Sequence, residues 1–334
     1  MRTRRSDPAG DGIARIRRGR GFSYHDASGK TIQREAVLER IRRLAIPPAW
    51  TDVWICEDDR GHIQAVGTDA AGRRQYLYHE AWRAQRDRAK FKRLPEFAAA
   101  LAPAREALVA DLKLKRLVRE RVMACAVRLL DIGMFRVGGE DYAEENESYG
   151  LATLEKRHVA VKSGAIEFEF VAKGGIEHQR TIADPLVVPT VLALKRRRGR
   201  PRDPLLAYHV SAGDWRDVSS DEINQWLKDL IGEDYSAKDF RTWNGTVLAA
   251  VRLAERADAT DRAKAVTAAI EEVAEILGNT PAVCRASYVD PRVIARFKRG
   301  QTIRAELERL AAKGTSRDFA DREGIERAVV RLLG

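Results

Sequence analysis

Residues 158–183, HVAVKSGAIEFEFVAKGGIEHQRTIA, decide the fold class. The run breaks into three stretches rich in β-branched and aromatic residues, separated by Ser163-Gly164 and Gly174-Gly175. Such dipeptides supply the backbone conformations of tight hairpin turns, so the pattern predicts a small antiparallel sheet of three strands. Lys173 stands just before the glycine pair, at the tip of the second hairpin. On both sides the texture is helical. Segments 80–93, 95–110 and 113–133 precede the island, and 184–198, 219–231, 238–256 and 260–277 follow it. All carry apolar residues at three- and four-residue spacing.

Upstream the pattern changes again. Residues 34–44 (REAVLERIRRL) have helical spacing, with Val37, Leu38, Ile41 and Leu44 on one face. Pro47 and Pro48 end that helix. VWICEDD (53–59), HIQAVGTD (62–69) and RQYLYH (74–79) read as short strands, and DAAGR (69–73) as a turn. The expectation is an α+β protein in three parts. These are a basic flexible arm over 1–21, a small strand-rich domain over 22–88, and a mainly helical domain over 89–334 that carries the small antiparallel sheet.

Sixty basic against 49 acidic residues leave a net charge of +11, which favours a polyanionic partner. Nucleic acid and an anionic membrane surface both fit, as does a merely basic protein. No apolar run approaches the ~18 residues of a membrane span. The start of the chain is rich in Arg and Gly and lacks the apolar core of a secretory signal. Cys56, Cys125 and Cys284 form no CxxC pair, which argues against a disulfide framework or a zinc site and for reduced thiols in the cytoplasm. The densest basic cluster, KRRRGRPR (195–202), reads equally as a solvated helix end or as a phosphate contact.

Metal-dependent chemistry finds little support in the sequence. No HExxH, phosphate loop or DxD pair occurs, and His158 and His178 stand at no metal-ligand spacing. Arg136-Val137-Gly138-Gly139 lacks the strand–turn–helix context of a dinucleotide site. Any phosphodiester chemistry would therefore rest on side-chain cations. In-line attack on a phosphodiester builds negative charge on the non-bridging oxygens. Arginine answers this with a planar fork of donors that stays charged. A nucleophile and an acid for the leaving oxygen complete the requirement.

Four segments supply such a set in order. They are FRVGGEDYAEENESYGLATL (135–154) with Arg136, FVAKGG (170–175) with Lys173, KDFRTWNGT (238–246) with Arg241, and LGNTPAVCRASY (277–288) ending in Tyr288. Together they resemble the type IB DNA topoisomerases, in the poxvirus-like and bacterial branch, over residues 40–295 or so. The resemblance implies a nucleophile at Tyr288, two phosphate-clamping arginines at Arg136 and Arg241, and a general acid at Lys173. Nine residues before the tyrosine the poxvirus enzymes have histidine, whereas this chain has Asn279. An amide can donate a hydrogen bond to a phosphate oxygen, but it carries no charge. A fifth segment, GRRQYLYH (72–79), resembles the poxvirus strand that reads bases, and suggests DNA contacts by Arg73, Arg74, Gln75, Tyr76 and Tyr78.

The resemblance further implies a DNA-binding N-terminal domain and a catalytic helical domain that close as a clamp on double-stranded DNA. It implies a 3′-phosphotyrosyl intermediate, no ATP, metal or other cofactor, and a monomer associated with the nucleoid in the cytoplasm. Taken singly, each residue has a plainer reading. Tyr288 could be a core tyrosine, Arg136 and Arg241 could pair with neighbours such as Asp239, Lys173 could be an ordinary turn residue, and Asn279 could cap a helix. GRRQYLYH could be an amphipathic strand with aromatic packing. A tyrosine recombinase shares the catalytic residues but works as a tetramer, and the strand-rich start favours the topoisomerase. A non-catalytic DNA-binding protein on the same scaffold is the third reading.

Overall fold

A computed structural model describes residues 2–139, 147–211, 213–312 and 322–334. The chain divides into two units, Met1–Lys92 and Arg93–Gly334. The division falls beyond position 88, because helix α2 (Glu80–Lys92) runs through that position.

The first unit is built on an antiparallel sheet in the order β2-β1-β3-β4-β5. Its strands are β1 (Ile13–Arg18), β2 (Gly21–His25), β3 (Thr51–Ile55), β4 (Ile63–Thr68) and β5 (Arg74–Tyr78). Helix α1 (Glu35–Arg43) lays Ile41 and Val37 on a core of Ile13, Val53, Ile55 and Ala65. The basic start of the chain is thus not an arm throughout, contrary to the expectation for 1–21. From Ile13 it is a paired strand, and Ile13 lies opposite Ile55. The density of arginines hid this strand. Arg15 turns back and donates to the carbonyls of Ile46, Pro47 and Trp50, so its charge is spent inside the unit.

The second unit holds helices α3 (Leu94–Leu112) and α4 (Arg119–Gly133), then the sheet β6 (Val159–Lys162), β7 (Ala165–Ala172) and β8 (Ile176–Ile182). The sheet is antiparallel in chain order, as its turns require. Helices α5 (Val188–Arg196), α6 (Ser220–Ile231), α7 (Ala237–Ala254), α8 (Arg262–Leu277), α9 (Pro281–Ser287), α10 (Pro291–Lys298), α11 (Arg304–Ala312) and α12 (Arg322–Leu333) follow. A short hairpin of β9 (Ala207–Ser211) and β10 (Asp214–Asp217) separates α5 from α6. Its strands are too short and polar for periodicity to reveal them.

Helix α7 is the axis of this unit. Phe240, Trp243, Val247, Leu248, Ala249, Ala250 and Leu253 are buried around its whole circumference, which marks a core helix. No helix among the described residues is long and apolar enough to cross a membrane. Buried charge locks α7 to its neighbours. Arg105 on α3 donates to Asp131 (2.9 and 3.0 Å) and to Glu326 (2.6 and 2.9 Å). Trp243 Nε1 donates to Glu326 at 3.0 Å, and Arg322 bridges Glu326 and Asn244. Each buried charge therefore meets an opposite one, which offsets the large desolvation cost. The KRRRGRPR cluster splits in two. Lys195 donates to the Val159 carbonyl and the half-buried Arg197 to the Pro204 carbonyl, while Arg196, Arg198, Arg200 and Arg202 are exposed.

Candidate active site

The site is organised by the end of one helix. The last carbonyls of an α-helix have no partner within it and carry the negative end of its dipole. At the end of α8, Gly278 takes the left-handed conformation (φ +60) and stops the helix. Three guanidiniums gather on the carbonyls left over. Arg180 of β8 donates to Ile276, Arg241 of α7 donates to Leu277 at 2.7 Å, and Arg136 donates to Gly278 at 2.7 Å. The same Arg136 nitrogen donates to Asn279 Oδ1 at 2.6 Å. Arg241 also donates to Met134, the residue that ends α4 in the left-handed region (φ 57). Asp239, a candidate partner for these arginines, instead accepts from the Ser236 N–H (2.9 Å) and hydroxyl (3.0 Å) at the start of α7.

Asn279 is not the cap of the next helix. Thr280 fills that place, its hydroxyl accepting from Val283 N–H at the start of α9. The Asn279 carbonyl oxygen is engaged by Arg136, and its buried Nδ2 has no hydrogen-bond partner among the described residues. An amide N–H with no acceptor among the described residues is thereby held beside two arginines. Burial pushes the Arg241 pKa down to about 10, with Arg136 adding to the fall and the neighbouring Tyr288 opposing it.

Tyr288 ends α9 and is half-buried. Its ring lies beneath the Arg241 guanidinium, 5.1 Å from carbon to ring centroid. The backbone there is fastened to α7. Thr246 Oγ1 accepts from the Asp290 N–H at 3.1 Å, and its hydroxyl lies 2.8 Å from the Thr242 carbonyl and 3.3 Å from the Tyr288 carbonyl. Gly245 permits this approach, since a Cβ at that position would sit 2.7 Å from the Tyr288 carbonyl oxygen. Cys284, one turn before Tyr288, is fully buried, and burial pushes its thiol up to about 11. It is protonated and serves as packing.

The structure thus brings Arg136, Arg241, Asn279 and Tyr288 around one turn. Lys173 lies apart from them in the chain, exposed at the tip of the β7–β8 hairpin, where Gly174 and Gly175 both have positive φ. Residues 140–146, the middle of the segment that begins at Phe135, lie outside the described residues. In the first unit β5 separates its candidates by face. Arg74, Tyr76 and Tyr78 point outward, with the two tyrosines 41% and 42% exposed and stacked 6.1 Å apart. Gln75 and Arg73 are instead held by Asp69, at 2.9 and 3.0 Å. Sequence reasoning passed over Arg180, the third arginine of the cluster, and weighed its neighbour on β8, His178, only as a metal ligand. The alternation of His178, Arg180 and Ile182 on one face of a strand was the available signal.

Residues 79–313 match the family model described as eukaryotic DNA topoisomerase I, catalytic core, and residues 21–69 match that of the bacterial DNA topoisomerase IB N-terminal domain. The chain is 31% identical over 289 residues to DNA topoisomerase 1B of Acanthamoeba polyphaga mimivirus, covering 84% of this chain and 85% of that one. It is 24% identical over 284 residues to DNA topoisomerase 1B of vaccinia virus (strain Copenhagen), covering 78% and 82%. It is also 27% identical over 194 residues to DNA topoisomerase 1 of Mycosarcoma maydis, covering 53% of this chain and 19% of that longer one. With a catalytic-core match across more than two thirds of its length, the chain belongs to the type IB DNA topoisomerase family.

Proposed function

We propose that this topoisomerase relaxes supercoiled duplex DNA through a transient break in one strand, with Tyr288 as the nucleophile. The phenol oxygen attacks the scissile phosphorus, the bond from phosphorus to the 5′-oxygen breaks, and the phenol proton passes to water. The product is a 3′-phosphotyrosyl enzyme and a free 5′-hydroxyl. Arg136 and Arg241 hold the non-bridging oxygens and Asn279 Nδ2 donates to one of them. Lys173 gives the 5′-oxygen its proton. The 5′-hydroxyl then attacks the phosphotyrosine and restores the strand. Because the diester bond is exchanged and not hydrolysed, no ATP is needed. The guanidiniums supply the positive charge, so no metal is needed either. Arg74, Tyr76 and Tyr78 face the duplex from β5, with Arg73 and Gln75 beside them. The protein works as a monomer, and its place is the nucleoid in the cytoplasm.

One observation carries this reading. Tyr288 sits under Arg241, beside an arginine–asparagine pair whose amide N–H has no acceptor among the described residues. The test is denaturation with SDS on an end-labelled duplex, alongside plasmid relaxation in EDTA. The wild-type protein is expected to form a covalent adduct and to relax plasmid. Tyr288→Phe is expected to do neither, and adduct formation by that variant would remove Tyr288 from the role.

A further inference from the structure

Strand β8 meets the end of α8 at two points. His178 and Arg180, two residues apart, project from the same face of the strand. That face is the inner one. His178 and Ile182 are buried and Arg180 is half-buried, while Glu177, Gln179 and Thr181 are exposed. Arg180 donates to the Ile276 carbonyl. Two residues further along α8 and its turn, the His178 imidazole lies so close to Gly278 that a Cβ on that glycine would overlap Nε2. Phe170, paired with His178 across the sheet, stacks on the ring, with centroids 5.5 Å apart and planes 16° from parallel, while Gly278 abuts the ring's Nε2 edge.

The imidazole is 8% exposed, and its Nε2 has no hydrogen-bond partner among the described residues. A buried polar atom without a partner costs roughly 1–3 kcal/mol, so hydrogen bonding does not account for this residue. Its shape does. A flat ring stacks on Phe170 and butts its Nε2 edge against Gly278, where a Cβ has no room. A strand held at Arg180 alone could pivot about that point. Held at two points two residues apart, its direction is fixed.

We propose that His178 is a positioning residue. Packed against Phe170 and Gly278, it sets the direction of the β7–β8 hairpin against the Gly278–Asn279 turn, and so sets where the tip residue Lys173 meets the leaving 5′-oxygen. The inference rests on the reading of Lys173 as general acid. A misplacement of about 1 Å in a reacting group can cost about 100-fold in rate, so a small pivot at the base of the hairpin matters at its tip.

The experiment compares single-turnover cleavage of an ordinary duplex with cleavage of one bearing a 5′-bridging phosphorothiolate, whose sulfur leaves without a proton. His178→Ala is expected to cleave the ordinary duplex roughly 10- to 100-fold slowly, and to recover most of that loss on the phosphorothiolate. His178→Phe, which restores the flat ring without its nitrogens, is expected to cleave both within a few-fold of wild type and guards against a folding defect in the alanine variant. An equal loss on both substrates, wild-type rates for His178→Ala, or a His178→Phe as slow as the alanine variant would each overturn the inference. Lys173→Ala is the control. If the phosphorothiolate fails to rescue it, the general-acid reading itself falls. If it is rescued while His178→Ala is not, only the positioning role falls.

Discussion

Asn279 shows how little chemistry a single side chain needs when its surroundings hold it. Its oxygen is fixed by Arg136, and its buried Nδ2 has no hydrogen-bond acceptor among the described residues, which leaves it for the phosphate oxygen in the proposed reaction. Removing one such preorganised donor from a transition-state site typically costs about 100- to 1,000-fold in rate. Asn279→Ala is therefore expected to lower single-turnover cleavage by about 100-fold with duplex binding little changed. A variant that cleaves at the wild-type rate would dismiss the amide from the reaction. Gly245 matters for a different reason. Alanine there would drive a methyl group into the Tyr288 carbonyl, and overpacking of this kind costs about 1–3 kcal/mol. Gly245→Ala is expected to lower Tm by several degrees and slow cleavage by moving Tyr288, measured by thermal melting and adduct yield. Motif reading found Arg136, Arg241, Asn279 and Tyr288 because short segments carry them in order. It could not tell that Thr280, not Asn279, caps α9, since both residue types cap helices and only geometry separates them.

At the scale of elements, β5 is the clearest case of a strand with two jobs. Leu77 packs on the core of the first unit while Tyr76 and Tyr78 stand outward as a stacked pair. Truncating an exposed pair removes no core contact. Tyr76→Ala and Tyr78→Ala are expected to weaken duplex binding by about 1–3 kcal/mol each while leaving Tm unchanged. Gln75→Ala should act mainly on the Asp69 turn, with a smaller effect on affinity. Titration of a fluorescent duplex separates these outcomes, and equal losses for all three would deny the strand its two faces. Most of these elements were legible in the sequence. The helices announce themselves by apolar spacing, and the small sheet by its Ser-Gly and Gly-Gly turns. Strand β1 escaped because arginine charge reads as solvent exposure until Arg15 is seen spending it on three carbonyls. The β9–β10 hairpin escaped because five- and four-residue strands have too little pattern to notice.

For the molecule as a whole, stability should depend on pH through buried groups. Burial raises the pKa of Asp131 and Glu326, but Arg322 and Arg105 outweigh it and hold both carboxyls below their ordinary range. Burial, then Arg180, Arg136 and Arg241, push His178 down to about 4. All three are depressed in the folded state, so each contributes stability above its unfolded pKa and loses it as pH falls. The free energy of unfolding should be level from neutrality to about pH 6.5, then fall as the unfolded histidine takes up its proton, and fall further below about pH 4 as the carboxyls follow. Each proton contributes a slope of at most about 1.4 kcal/mol per pH unit. Glu326→Gln leaves Arg105 and Arg322 short of a buried counter-ion, and should cost about 3–5 kcal/mol at neutral pH in urea denaturation. None of this network was legible, because its members come from four distant helices. The arginine cluster obeys a different rule. Its hydrogen bonds to Met134, Ile276, Leu277 and Gly278 run to peptide carbonyls, which neither gain nor lose protons. Between the titration of His178 near 4 and that of Arg241 near 10, its appetite for a phosphodiester should be indifferent to acidity. Duplex affinity of Tyr288→Phe is thus expected to stay flat from about pH 5.5 to about pH 8.5, a tolerance that carboxylate counter-ions, with their own protonation, would not provide.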